Sequence, residues 1–296
     1  MTYGPCGGVG ADGGCEVDGR ACAFVAAPLP EWGSAASSVR ELNPRARALA
    51  ARLADGRVVV ADFPARPLDR ESLGACARTL AGVDAVLLGD SPRERVQFPP
   101  AYRARLVQDE GATAWVGLNA RDRNRVALEA ELGALADLQA AAVHCVTGDH
   151  PAVGGRADAA AVFDLDSTRL TALAAHCGAV VSVGESPAAP PQARRPARLL
   201  SKERAGASVC FVNHCGGPGS VAKFVHAARA RGVTTAMIAC VPLGGRDAMI
   251  EGGRRMLDTG LLAGVNLSAW PPPSEGPDSA EALAETLAET AEALLR

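Results

Sequence analysis

Asn119-Ala-Arg-Asp-Arg-Asn-Arg125 packs three arginines, one aspartate and two asparagines between the apolar run "ATAWVGL" and the helical pattern "VALEAELGALADL". Asp122 suits a helix start, whereas arginines there oppose the macrodipole. Such a knot either holds an anionic ligand or braces its own loop as an ion-pair lattice, and the residues leave both open. A second cluster is Cys6, Cys15 and Cys22 in the glycine-rich leader "YGPCGGVGADGGCEVDGRACAFV". Its spacings are looser than the C-x2-4-C pairs of zinc sites, and three thiolates leave a tetrahedral ion one ligand short. The alternatives are a metal completed by another ligand and a flap held by local turns with reduced cysteines. Of the pairs His144-Cys145, His176-Cys177 and His214-Cys215, only the last, just past the sixth run, is placed at the mouth. Neighbours in a strand face opposite sides, so core packing is the expectation for the others. The glycines of "HCGGPGS" precede a helical stretch, but that is common punctuation.

The elements behind these groups form a repeat. Apolar runs stand at 57–63, 84–90, 112–119, 141–149, 178–186, 206–213, 234–242 and 263–269, and most gaps hold a helical pattern. Continuous rather than alternating runs imply strands covered on both faces, hence parallel pairing with helical crossovers. Eight such units predict a (β/α)8 barrel over residues 37–296, preceded by a Cys/Gly-rich extension over 1–36. "SSVRELNPRARALAARLADG" predicts a helix or pair interrupted at Pro44. Pro271 to Pro273 separate the eighth strand from a last helix. Asp278 and Glu281 would open that helix as a capping box, and Leu283, Leu287 and Leu294 would pack on the barrel.

Bulk properties narrow the partners. With 296 residues, 48% hydrophobic, and a net charge of -3, the chain offers no broad basic surface for nucleic acid. No apolar run reaches the roughly 20 residues that span a bilayer, and the start lacks a secretory pattern, so a soluble cytoplasmic protein is expected. An odd cysteine count, nine, argues against a disulfide framework. Cys76, Cys145, Cys177, Cys210, Cys215 and Cys240 are expected to be mostly small buried hydrophobes.

A barrel gathers its chemistry at the carboxyl ends of its strands. Asp62, Asp90, Asn119 with Arg121 and Asp122, Asp149, Glu185, Asn213, and Asn266 with Ser268 all stand there. Nearly every strand thus contributes a hydrogen-bonding group to one mouth, which is the predicted site.

"NARDRNRVALEAELGALADL" followed by "VHCVTGDHP" resembles the methylenetetrahydrofolate reductase family, with "VVVADFPARP", "GDSPRERV", "VFDLDS" and "LLSKERAGASVCFVN" falling in order. The resemblance runs over roughly residues 57 to 270. It implies the same barrel, FAD in the mouth, and hydride passing from NAD(P)H to 5,10-methylenetetrahydrofolate to give 5-methyltetrahydrofolate. It implies catalytic roles for Asp62, as general acid, and for Asp149, between flavin and pterin. Asn213 would hydrogen-bond the folate, and Arg198 and Lys202 the flavin phosphates. Asn119 and Gly148 fall among the implied cofactor contacts. The leader resembles a cysteine-rich module that accompanies some of these reductases, implying zinc or an iron–sulfur centre on Cys6, Cys15 and Cys22. A homo-oligomer or a partner subunit is compatible with it. Departures lie on the flavin side: Gly117 and Asn119 stand where the family has histidine and threonine, Gly89 where it has threonine, and Glu185 would oppose a diphosphate. A folate-dependent one-carbon transfer enzyme without flavin and a non-catalytic folate-binding subunit are therefore the alternatives.

Overall fold

The computed structural model describes residues 2–3, 8–28, 30–33, 41–90, 96–213, 216–269 and 279–296. Cys6, His214, Cys215, Pro271 to Pro273, Asp278 and part of "GDSPRERV" lie outside the described residues. The elements run α1 (Ala23–Ala26), α2 (Pro44–Asp55), β1 (Val58–Asp62), α3 (Arg70–Thr79), β2 (Ala85–Leu88), α4 (Pro100–Asp109), β3 (Ala114–Asn119), α5 (Arg125–Asp137), β4 (Ala142–Val146) and α6 (Ser167–Ala174). They continue as β5 (Val180–Glu185), α7 (Arg195–Arg204), β6 (Val209–Val212), α8 (Pro218–Arg229), β7 (Ala236–Val241), α9 (Arg246–Leu257), β8 (Gly264–Leu267) and α10 (Ala280–Leu295). The eight strands close a barrel in chain order, each pairing parallel with its neighbours and β8 with β1. The predicted (β/α)8 barrel is the observed fold.

Alternation along each strand divides the core in two. Val59, Ala61, Val116, Leu118, Val143, Cys145, Val181 and Val183 face outward and pack with the helices. Val58, Val60, Trp115, Ala142, Val180, Val209, Phe211 and Ile238 fill the inside. Trp115 meets Phe211 edge-on at 5.0 Å between centroids, a favourable aromatic geometry. The seam tolerates no side chain at Gly264, where a Cβ would fall 2.1 Å from Val58 O.

Helix α2 joins the inner core through Ala46, Leu49 and Leu53. Asn43 caps it at Ala46 N and donates to Ala140 O, both at 2.9 Å, and so ties it to the start of β4. That plugs the amino-terminal end and leaves the opposite mouth for ligands. Pro44 opens this helix at its first turn, and residues 37–40 of the expected helix or pair lie outside the described residues. Helix α10 buries Leu287 and Leu294, with Leu283 partly buried, as expected. Its N-cap is Ser279, which accepts from Ala282 N at 3.1 Å. The Glu281 carboxylate accepts from Ser72 Oγ and Arg66, pinning α10 to α3.

The extension lies against the top of the barrel. Thr2 N and Tyr3 N donate to Asp166 Oδ2, while Asp166 Oδ1 caps α6. Glu16 accepts from His150 N at 3.2 Å, and Glu31 pairs with Arg204 at 3.5 Å. Among the described residues no helix is long and apolar enough to cross a membrane.

Candidate functional site

The mouth holds two cavities with a common wall. One, about 340 Å³, is bordered by Asn119, Gly148, Asp149, Ser186, Arg198 and Lys202. The other, about 400 Å³, is bordered by Asp62, Phe63, Arg66, Arg103, Asn266 and Ser268. Leu87, Gly89, Asp90, His144 and Asn213 line both. The expected grouping of Asp62, Asp149 and Asn213 is therefore split. Asp62 and Asp149 stand in different lobes, and Asn213 serves the two.

The β3–α5 knot resolves as an ion-pair lattice. Arg121, buried at 2% exposure, donates to Asp122 and, at 3.1 Å, to Asp90 Oδ2. Asp90 also accepts from Asn119 Nδ2 and from Gln97 Nε2. Asn119 Oδ1 in turn accepts from Asp122 N at 3.4 Å. Helix α5 starts behind the lattice, capped by Asn124 at Ala127 N. On the far side of Asp90, Arg103 donates to Gly89 O at 3.0 Å. Burial pushes Arg103 down to about 10, against the pull of Asp90.

Gly184 faces inward on β5, so Glu185 faces away from the barrel axis toward α7. There its fully buried carboxylate accepts from Lys202 Nζ at 2.7 Å and Arg195 Nη1 at 3.2 Å, with Arg198 Nε at 3.9 Å. Burial alone would push Glu185 up, but Arg198, Lys202 and Arg195 overcome it and hold it at about 2. Lys202 Nζ also donates to Gly184 O at 2.7 Å.

Across the mouth, Asp62 is half-buried and accepts from Asn266 Nδ2 and Ala269 N, each at 3.0 Å. Burial raises it above the ordinary carboxylate range, and those two donors only partly offset the shift. A polar chain leads onward from Asn266 Nδ2 to Cys240 Sγ at 3.8 Å and from Cys240 Sγ to Asn213 Oδ1 at 2.6 Å. Cys240 is buried in the inner core, as expected, and from there links the two asparagines.

His144 is a correction. It does not merely pack in the core: its ring closes the floor between the lobes, with Nδ1 2.9 Å from Ser182 Oγ and an edge contact to Phe211. Burial, with help from the Lys202 ammonium, pushes it down to about 3, so the ring is neutral near pH 7. Counting residues by twos along the fourth run would have turned His144 inward with Ala142, and the fifth run would have turned Ser182 and Gly184 inward likewise.

No family model matches the chain, and no curated protein matches it. Solved structures do. An uncharacterized protein from Clostridium thermocellum that binds two copies of 5-methyl-5,6,7,8-tetrahydrofolic acid aligns with TM-score 0.58 and 9% identity, covering 81% of this chain and 99% of that one. Tryptophan synthase from M. tuberculosis aligns with TM-score 0.54 and 12% identity over 84% and 99% of the two chains. A 2,3-dimethylmalate lyase of the PEP mutase/isocitrate lyase superfamily gives 0.53 and 12%, over 76% and 80%. The kinship shown is one of fold. Barrels of this shape serve many chemistries, so function must be read from the side chains.

Two of the residues matched to a flavin, Asn119 and Lys202, do not fit one as they stand. Asn119 spends both ends of its amide on Asp90 and Asp122, and Lys202 is turned into Glu185 and Gly184 O. Arg198 lies against the same buried carboxylate, leaving Gly148 as a bare stretch of lobe wall. At Gly117 a Cβ would fall 2.8 Å from Leu88 O, so this backbone has no room for the histidine of the resemblance. Gly117→His should therefore cost about 1–3 kcal/mol by forcing β2 and β3 apart. Thermal unfolding checks this, and an unshifted melting temperature would refute it.

In the leader, Cys15 and Cys22 are half-buried beside the bridges Val9–Cys15 and Gly14–Ala21. Among the described residues no group of three or more His, Cys, Asp or Glu could hold a metal, and Cys6 lies outside them. None of the described cysteines is in a disulfide.

Proposed function

We propose that the mouth binds a reduced folate and that the chain is a methylenetetrahydrofolate reductase-like oxidoreductase, converting 5,10-methylenetetrahydrofolate to 5-methyltetrahydrofolate with NAD(P)H as reductant. The observation that carries this reading is Asp62, a recessed carboxyl with a raised pKa on the wall of a ligand-sized cavity. An acid of that kind can protonate N10 of the folate as the bond from N10 to the one-carbon unit breaks. The bonding pair stays on N10, the lone pair of N5 makes the iminium with the one-carbon unit, and a hydride from the nicotinamide reduces it to the methyl group. One proton and one hydride are consumed, and the nicotinamide leaves oxidised. The carboxylate that Asp62 becomes is held by the Asn266 and Ala269 N–H groups already bonded to it.

Two adjoining lobes suit a reaction that needs donor and acceptor side by side. A folate-binding barrel among the structural neighbours agrees with the substrate class. No step is assigned to a flavin, because two of the residues matched to it, Asn119 and Lys202, are bonded within the protein. That commitment favours, as a second reading, one-carbon transfer or folate binding without redox turnover.

The test is titration with 5-methyltetrahydrofolate, followed by a nicotinamide oxidation assay with 5,10-methylenetetrahydrofolate and no added flavin. Saturable binding and folate-dependent oxidation are expected. Binding without oxidation would transfer the site to the second reading, and no binding at all would end both.

A further inference from the structure

His144 on β4, Gly184 on β5 and Asn213 just past β6 meet where the lobes join. Ser182 Oγ accepts from Trp115 Nε1 at 2.8 Å, which leaves one hydroxyl proton to place. His144 Nδ1 at 2.9 Å is a nearer acceptor than Val143 O at 3.3 Å. With the hydroxyl proton placed on the Nδ1 contact, the ring keeps its own proton on Nε2, and the inference rests on that tautomer. On Asn213, the Cys240 thiol occupies Oδ1, which turns the amide N–H2 toward β5.

A Cβ on Gly184 would stand 3.6 Å from Asn213 Nδ2 and 3.9 Å from His144 Nε2. Two N–H groups thus converge on the open face of a glycine. Among the described residues neither nitrogen has a protein acceptor, and His144 is only 7% exposed. Both residues line the two lobes, and N–H groups that the fold aims into a cavity are recognition groups for a ligand acceptor.

We propose that His144 and Asn213 form a two-donor cradle over Gly184 for one carbonyl oxygen of the ligand. On the folate reading, on which this inference rests, that oxygen is the 4-oxo group of the pterin. A cradle of donors accepts a carbonyl and rejects an amino group at the same place, because hydrogens would then face hydrogens. His144 is a specificity residue in this scheme, separate from the acid at Asp62.

The experiment compares 5-methyltetrahydrofolate with its 4-amino-4-deoxy analogue, titrated against the wild-type chain, His144→Phe and Gly184→Ala. The phenylalanine keeps a ring against Phe211 but has no N–H. The alanine places a methyl between the donors at ordinary contact distance, so its melting temperature should match the wild type. Wild type should prefer the 4-oxo compound by at least about tenfold, and both variants should lose that preference. If wild type binds 5-methyltetrahydrofolate and the preference survives in both variants, the cradle is overturned while the folate reading stands. If wild type binds neither compound, the folate reading falls and the cradle falls with it.

Discussion

Asp62→Asn should bind 5-methyltetrahydrofolate within a few-fold of the wild-type affinity while turning over at least about 100-fold more slowly. The amide keeps the size of the carboxyl and can still bond Asn266 or Ala269 N, so the fold and the pocket are preserved. What it lacks is a proton that can be given up to N10. The wild-type pH profile should carry the same signature. Burial raises Asp62 above the ordinary carboxylate range, so the protonated form persists to higher pH than for a solvated aspartate. Turnover should fall as pH rises through that raised value, and the limb should vanish from the residual activity of the asparagine variant. Unchanged turnover in Asp62→Asn would remove this residue from the chemistry and leave the site as a binding pocket.

The second large effect concerns stability. Glu185→Gln removes the only negative charge among Glu185, Arg195, Arg198 and Lys202, all of them buried. Breaking a buried ion pair by neutralising one side costs about 3–5 kcal/mol, since the remaining charges stay desolvated. A fall in melting temperature on the order of 10 °C is expected. The acid limb of stability should change as well. Glu185 sits at about 2 in the folded chain against an ordinary 4.5, a depressed pKa. Its contribution is therefore complete above about 4.5 and is lost as pH falls from there toward 2. The variant, having no such group, should show a shallower loss over that window. Equal melting temperatures for the two chains would mean that this cluster is open to water and does not brace α7 against β5.

Much of the frame could be read from the chain alone. Eight apolar runs, spaced by helical patterns, specified a parallel barrel, because burial on both faces and crossover connections are local, periodic properties. Asp62, Asn119, Asp149 and Asn213 were placed at the mouth on the same ground, since strand ends follow from strand positions. The motif "NARDRNR" left its use open, and only the reach of Arg121 to Asp90 on the neighbouring strand made it a lattice. The starts of α2 and α10 needed the structure, where Asn43 and Ser279 cap them, because a proline and a cap each fit two nearby boundaries. The site's inner detail needed closure of the ring. Whether Lys202 meets a ligand or Glu185, what Cys240 bonds from within the core, and whether His144 faces the helices or the lobes are matters of which face each residue takes and what stands opposite. Alternation supplies the face, but the partner comes from strands and helices distant in sequence, and their register is set by the collective packing of the barrel.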